Sequence, residues 1–109
     1  MDPFKQRERA FEEKYLHDEE LYFRVLARRN HLFGLWVAGL LGYYGEKADH
    51  YVEEVILTDV QKNHKEDVFH KVLKDLRNAK VKISAHRVQK QLDNSWESAK
   101  KMIMHEEEF

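Results

Sequence analysis

The positions of glycine and proline constrain this chain more than any other feature. Its 109 residues contain one proline, Pro3, and four glycines, Gly34, Gly39, Gly42 and Gly45. Proline breaks a helix interior and glycine weakens it. The sequence therefore offers one clear turn, around residues 42–45, and leaves the rest free to be helical.

Apolar residues recur at the three-and-four spacing of an amphipathic helix. That spacing predicts four helices. The first spans about residues 18–41, with a weak extension back to Lys5, and carries Tyr22, Val25, Leu26, Arg29, Leu32, Phe33, Trp36 and Leu40 on one stripe. Arg29 joins that stripe through its aliphatic stem. The second covers about 46–58 with Ala48, Val52, Val55 and Ile56, and the third about 65–78 with Val68, Phe69, Val72, Leu73 and Leu76. The fourth covers about 85–104 with Val88, Leu92, Trp96, Ala99 and Ile103, and Ser84 is its N-cap. Gly42 is the expected stop of the first helix, since a left-handed cap favours glycine. Gly34 and Gly39 lie inside that helix, where they imply close approach by a neighbour or a kink. The links at 42–45, 59–64 and 79–83 are short, which favours antiparallel neighbours. The predicted fold is an all-α four-helix bundle at 18–109 with a long first helix, preceded by a flexible segment at 1–17.

Composition excludes several functions. There is no cysteine, so disulfides, thiolate metal sites and cysteine nucleophiles are absent, and a reducing compartment fits. The net charge of −1 gives no general attraction to nucleic acid or anionic lipid. The acidic start, with no apolar run behind it, is not a signal peptide. The uncharged run Leu32–Tyr44 falls short of the ~20 residues a membrane helix needs. Neither nucleic-acid binding nor direct membrane insertion is expected.

Residues 1–17 differ from the rest. Phe4, Phe11, Tyr15 and Leu16 are the large apolar groups in a charge-dominated stretch, apart from Met1. Glu8 with Glu12, and Lys5 with Arg9, are like-charge pairs one turn apart and oppose helix formation slightly. So few apolar groups do little against the entropy of ordering the segment. It is expected to be frayed or disordered when free and to order on a partner; the alternative is a frayed terminus with no role, since termini are often loose. Phe11 and Tyr15, four apart, are the kind of anchors that helix-in-groove recognition uses.

A search for chemistry finds none. The seven histidines are nowhere three or four apart, and His70 with Asp67 is not enough for a metal site. Ser84, Ser95 and Ser98 have no nucleophile elbow around them. The glycines spell neither a dinucleotide fingerprint nor a phosphate loop. Adjacent carboxylates such as Glu12–Glu13, Glu19–Glu20 and Glu53–Glu54 diverge on a helix. No catalytic residue, metal or required cofactor is expected. Arg28 and Arg29, beside Asn30, form a basic cluster with His31. Structurally, either Arg28 pairs with the acidic run Asp18–Glu20 or both arginines cap a bundle surface. An anion site, for example for a nucleotide phosphate, is the functional alternative.

The run Arg7-Glu8-Arg9-Ala10-Phe11-Glu12-Glu13-Lys14-Tyr15 is followed by His17-Asp18-Glu19-Glu20-Leu21-Tyr22-Phe23. Then come Ala27-Arg28-Arg29-Asn30, Leu32-Phe33-Gly34-Leu35-Trp36 and Leu40-Leu41-Gly42. This pattern resembles the zeta subunit of alphaproteobacterial F-type ATP synthases, a small inhibitor of ATP hydrolysis. Glu66-Asp67-Val68-Phe69-His70-Lys71-Val72 is similar to that family's third helix. The resemblance implies a four-helix bundle with a mobile N-terminal segment that enters the catalytic head of the ATP synthase, folds there as a helix and blocks rotation. On that likeness the inhibitory contacts fall on Phe4, Arg7, Arg9, Phe11, Lys14 and Tyr15. The likeness also implies weak binding of ATP or ADP at Arg28, Arg29 and Asn30, and a cytoplasmic location peripheral to the inner membrane through the ATP synthase. The alternative is a helical adenine-nucleotide sensor acting on another partner. Two stretches depart from the family's pattern: the link Val60-Gln61-Lys62-Asn63-His64-Lys65, where an acidic Pro-Gly turn is usual, and the less acidic start with Lys5 and Gln6.

Overall fold

A computed structural model describes the backbone of residues 2–62 and 65–107, and side chains outside 59–67. The described residues form five helices: α1 (Pro3–His17), α2 (Glu19–Leu41), α3 (Gly45–Lys62), α4 (Lys65–Asn78) and α5 (Ala85–Glu106). The all-α expectation stands, but the count is five rather than four. The difference lies before Asp18.

Residues 3–17, expected to be frayed or disordered in the free chain, form α1 in the structure. The local signals were present. The Asp2 carboxylate accepts from the Phe4 N–H at 3.0 Å, and Pro3 occupies the first turn, where its missing N–H costs nothing. Asp18 then leaves the helical region, with φ −114° and ψ 103°. Its carboxylate accepts from the Leu21 N–H at 3.1 Å and so caps α2. The weak backward extension of the first helix is thus a separate helix behind a one-residue break.

Helix α2 is the central element and packs against α3 and α5, while α3 packs on α4 and α4 on α5. Two core clusters result. The larger joins Phe33, Val37 and Ala38 of α2 to Tyr51 and Val55 of α3, Val68, Val72, Leu73 and Leu76 of α4, and Val88 and Leu92 of α5. The smaller joins Phe11 and Tyr15 of α1 to Leu21 and Val25 of α2 and to Ala99, Ile103 and Met104 of α5.

The predicted stripes are largely buried, with a few shifts. Leu40 is exposed, while Val37, Ala38 and Asn30 are buried instead. Trp36, Ile56, Phe69 and Trp96 sit at the margins. Ser84 caps α5 as expected, accepting from the Arg87 N–H at 3.1 Å. Gly42 ends α2 at φ 79°, and the Tyr43 N–H closes the turn on the Ala38 carbonyl at 2.9 Å. A Cβ at Gly34 would lie 3.2 Å from the Val52 Cα, so this glycine lets α3 approach α2 closely. Gly39 has open space and no such role. The expected link at 59–64 is shorter than predicted, since α3 continues to Lys62. Residues 63–64 and the side chains of Val60, Gln61, Lys62, Lys65, Glu66 and Asp67 lie outside the described residues.

Candidate functional site

Helix α1 carries all the residues singled out for partner binding, and docking divides them into two sets. Phe11 and Tyr15 face inward and are 2% and 5% exposed. Phe4, Arg7, Arg9 and Lys14 are exposed. The spacing of Phe11 and Tyr15 places both rings on one helix face, where they stack with centroids 5.7 Å apart.

The stack continues beyond α1. The Tyr15 ring lies 6.1 Å from that of Tyr22 and 6.4 Å from that of Trp96. Tyr22 and Trp96 meet edge to face at 5.9 Å, and the Arg29 guanidinium lies 5.1 Å from the Trp96 ring. Such edge and offset contacts are favourable for aromatic quadrupoles, and a guanidinium over indole adds a cation–π attraction. Burial raises the Tyr15 pKa above the ordinary phenol value, and the nearby Glu12 carboxylate raises it further.

Lys100 of α5 supplies the polar edge of this contact. Its ammonium reaches the Glu12 carboxylate at 3.4 Å and Glu97 at 3.1 Å, and lies 5.8 Å from the centre of the Tyr15 ring. Its side chain is 14% exposed. Burial opposes the charge, but the hydrogen bond to Glu97 and the carboxylates of Glu97 and Glu12 outweigh it, so the lysine pKa is raised. Spacing along the chain does not single out this residue, because Glu12 lies on a different helix and 88 positions away.

Arg28, Arg29 and Asn30, adjacent in sequence, do not converge on one surface. Arg28 grips Glu106 with two hydrogen bonds, at 2.6 Å and 3.2 Å. That corrects the expected pairing of Arg28 with Asp18–Glu20. Arg24 adds contacts to Glu106 and Glu107, so α2 is clasped to the end of α5. Arg29 and Asn30 are each 1% exposed, and Arg29 Nε donates to Asn30 Oδ1 at 2.9 Å. A ligand phosphate at Arg28 would compete with Glu106.

The clasp makes a pH prediction. The hydrogen bond from Arg28 lowers the Glu106 pKa, and the charges of Arg28 and Arg24 add to that. A carboxyl whose folded pKa lies below its unfolded one stabilises the fold above the unfolded value. That contribution is lost as pH falls through the folded value. The effect is small, because the pair is solvent-exposed. Acid titration followed by NMR is expected to show the Glu106 side chain titrating below an ordinary glutamate. In Arg28→Ala its midpoint is expected to move back up.

Among the described residues no group of three or more His, Cys, Asp or Glu is placed to hold a metal ion. None of the described helices is long and apolar enough to cross a membrane. A family model described as ATPase inhibitor subunit zeta matches residues 1–102. Comparison with curated proteins gives no match.

Proposed function

The chain belongs to the ATPase inhibitor subunit zeta family, and from that membership we propose that its inhibitory element is α1, which enters the catalytic head of the F-type ATP synthase and blocks rotation in the hydrolytic direction. The chain acts as a regulatory binding protein and not as a catalyst. It reaches the membrane only as a peripheral component of the ATP synthase, on the cytoplasmic side.

One observation carries this reading. Phe11 and Tyr15, the large aromatic pair of an otherwise charged segment, sit on a helix with its own N-cap, joined to the bundle through the single non-helical residue Asp18. A short amphipathic helix on such a joint suits insertion into an apolar groove. Aromatic anchors carry most of the energy in such contacts. Phe4, Arg7, Arg9 and Lys14 then supply rim contacts, where charge steers encounter more than it adds affinity.

The test is titration of the isolated ATPase head with the full chain. Hydrolysis is expected to fall in a saturable way as the chain is added. A rate that stays constant at concentrations far above that of the head would sink the reading.

A second reading, adenine-nucleotide sensing, is favoured by one feature. Arg29 lines an open groove of ≈ 790 Å³ together with Phe69, His70, Asp93 and Trp96. Flat rings there suit a base, and a guanidinium suits a phosphate. Amide shifts on adding ATP or ADP test it, and shifts confined to exposed residues far from that groove would count against it.

A further inference from the structure

The residues that suit α1 for a partner are the residues that hold it to its own bundle. Phe11 and Tyr15 are buried in one cluster with Ala99, Ile103 and Met104 of α5. Glu12, between them in sequence, meets Lys100. One helix face cannot occupy two grooves at once.

We infer that the docked α1 is a closed, self-occupied state of the inhibitor, hinged at Asp18 and latched by Lys100, and that opening this latch sets how much inhibitor is available. The inference rests on the reading of α1 as the inhibitory helix. It also specifies the chemistry of the partner's groove. The groove on the ATPase head competes for the same face, so it is apolar enough for two stacked rings and carries a cation near Glu12.

The hinge is local. Asp18 is the single residue outside the helical region between α1 and α2, and its side chain caps α2 rather than α1. Opening therefore leaves the α2 cap in place. The latch is also local. Lys100 bridges Glu12 of α1 and Glu97 of its own helix. Losing Glu12 leaves the ammonium still paired, which keeps the cost of opening low. A partner binding only the open form sees its apparent affinity reduced by the open fraction.

The test has two arms, and Lys100→Glu is the main variant. It replaces attraction to Glu12 with repulsion and touches no residue assigned to the partner. Hydrogen exchange of the free full-length chain comes first, without any ATPase. Amides of residues 7–17 are expected to exchange at least about tenfold more slowly than open chain, and to exchange several-fold faster in Lys100→Glu. Open-chain rates in the unmodified protein would overturn the closed state and leave the inhibitory reading untouched.

The second arm measures inhibition of the ATPase head. Lys100→Glu is expected to reach half-inhibition at a concentration about 1.5- to fivefold lower, the range that loss of one such ion pair gives. Unchanged or weaker inhibition, from a variant whose α1 exchanges fast, would overturn the regulatory role. Lys100→Ala removes the attraction without repulsion. It is expected to fall between the two proteins, and it serves in full if Lys100→Glu fails to fold. A head that no form of the chain inhibits would sink the inhibitory reading itself, while the exchange arm still decides the docked state.

Discussion

Removal of residues 1–17 is expected to abolish inhibition of ATP hydrolysis while leaving a folded bundle of lower stability. The loss of inhibition follows from the location of both aromatic anchors on α1. The loss of stability follows from what α1 covers. Phe11 and Tyr15 pack on Ala99, Ile103 and Met104, and the truncated chain presents those residues to water. Burying a side chain of Phe size contributes about 1.5–3 kcal/mol. Most of that gain offsets the cost of ordering α1, so the net change is expected to be about 1–2 kcal/mol. For a domain of this size the thermal midpoint then falls by roughly 5–15 °C. The larger cluster, built from α2, α3, α4 and α5, does not involve α1, so the four remaining helices are expected to persist. Circular dichroism on heating reads the stability, and hydrolysis by the isolated head reads the inhibition. Full inhibition by the truncated chain would place the inhibitory surface on the bundle instead.

Arg29→Ala is expected to be the most destabilising single change, by about 3–5 kcal/mol. Breaking the partnership of a buried charged group has costs in that range, and the cavity left by a long side chain adds to them. Arg29 is 1% exposed. Its Nε satisfies the Asn30 carbonyl oxygen, and its guanidinium lies against Trp96. Truncation leaves the Asn30 oxygen without that donor, removes the cation–π contact and opens space between α2 and α5. Arg29→Met keeps most of the volume and is expected to recover part of the loss. Urea unfolding measures both variants. If Arg29→Ala kept its stability and lost only nucleotide-induced amide shifts, the arginine would belong to a ligand site and not to the core.

The helical class was legible because glycine and proline are nearly absent outside 34–45, and the periodic stripes located most of the core. Val55, Val72, Leu76, Val88 and Leu92 are buried as their spacing implies. The stripes of α2 were harder to read. This helix is contacted by α1, α3, α4 and α5, so its buried surface is wider than a single stripe. Val37 and Ala38 are inside for that reason, while Leu40 is not. Helix α1 was obscured by its charge. Like-charge pairs and scarce apolar groups argued against a helix, whereas the Asp2–Pro3 start and the Asp18 cap argued for one. Tertiary contact with α5 tips that balance, and the sequence alone does not display it. The fate of Arg28 was hidden likewise, because its partner Glu106 lies 78 positions away.

The most direct measurement of the central claim is cross-linking from position 11. A photo-reactive phenylalanine analogue placed there is expected to label α5 in the free protein, near Ile103 and Met104. On the ATPase head, under hydrolysis, the label is expected to move to a subunit of the head in proportion to the lost activity. Labelling that stays on α5 while hydrolysis is fully inhibited would contradict the account, because the inhibitory contact would then form without α1 leaving its own bundle.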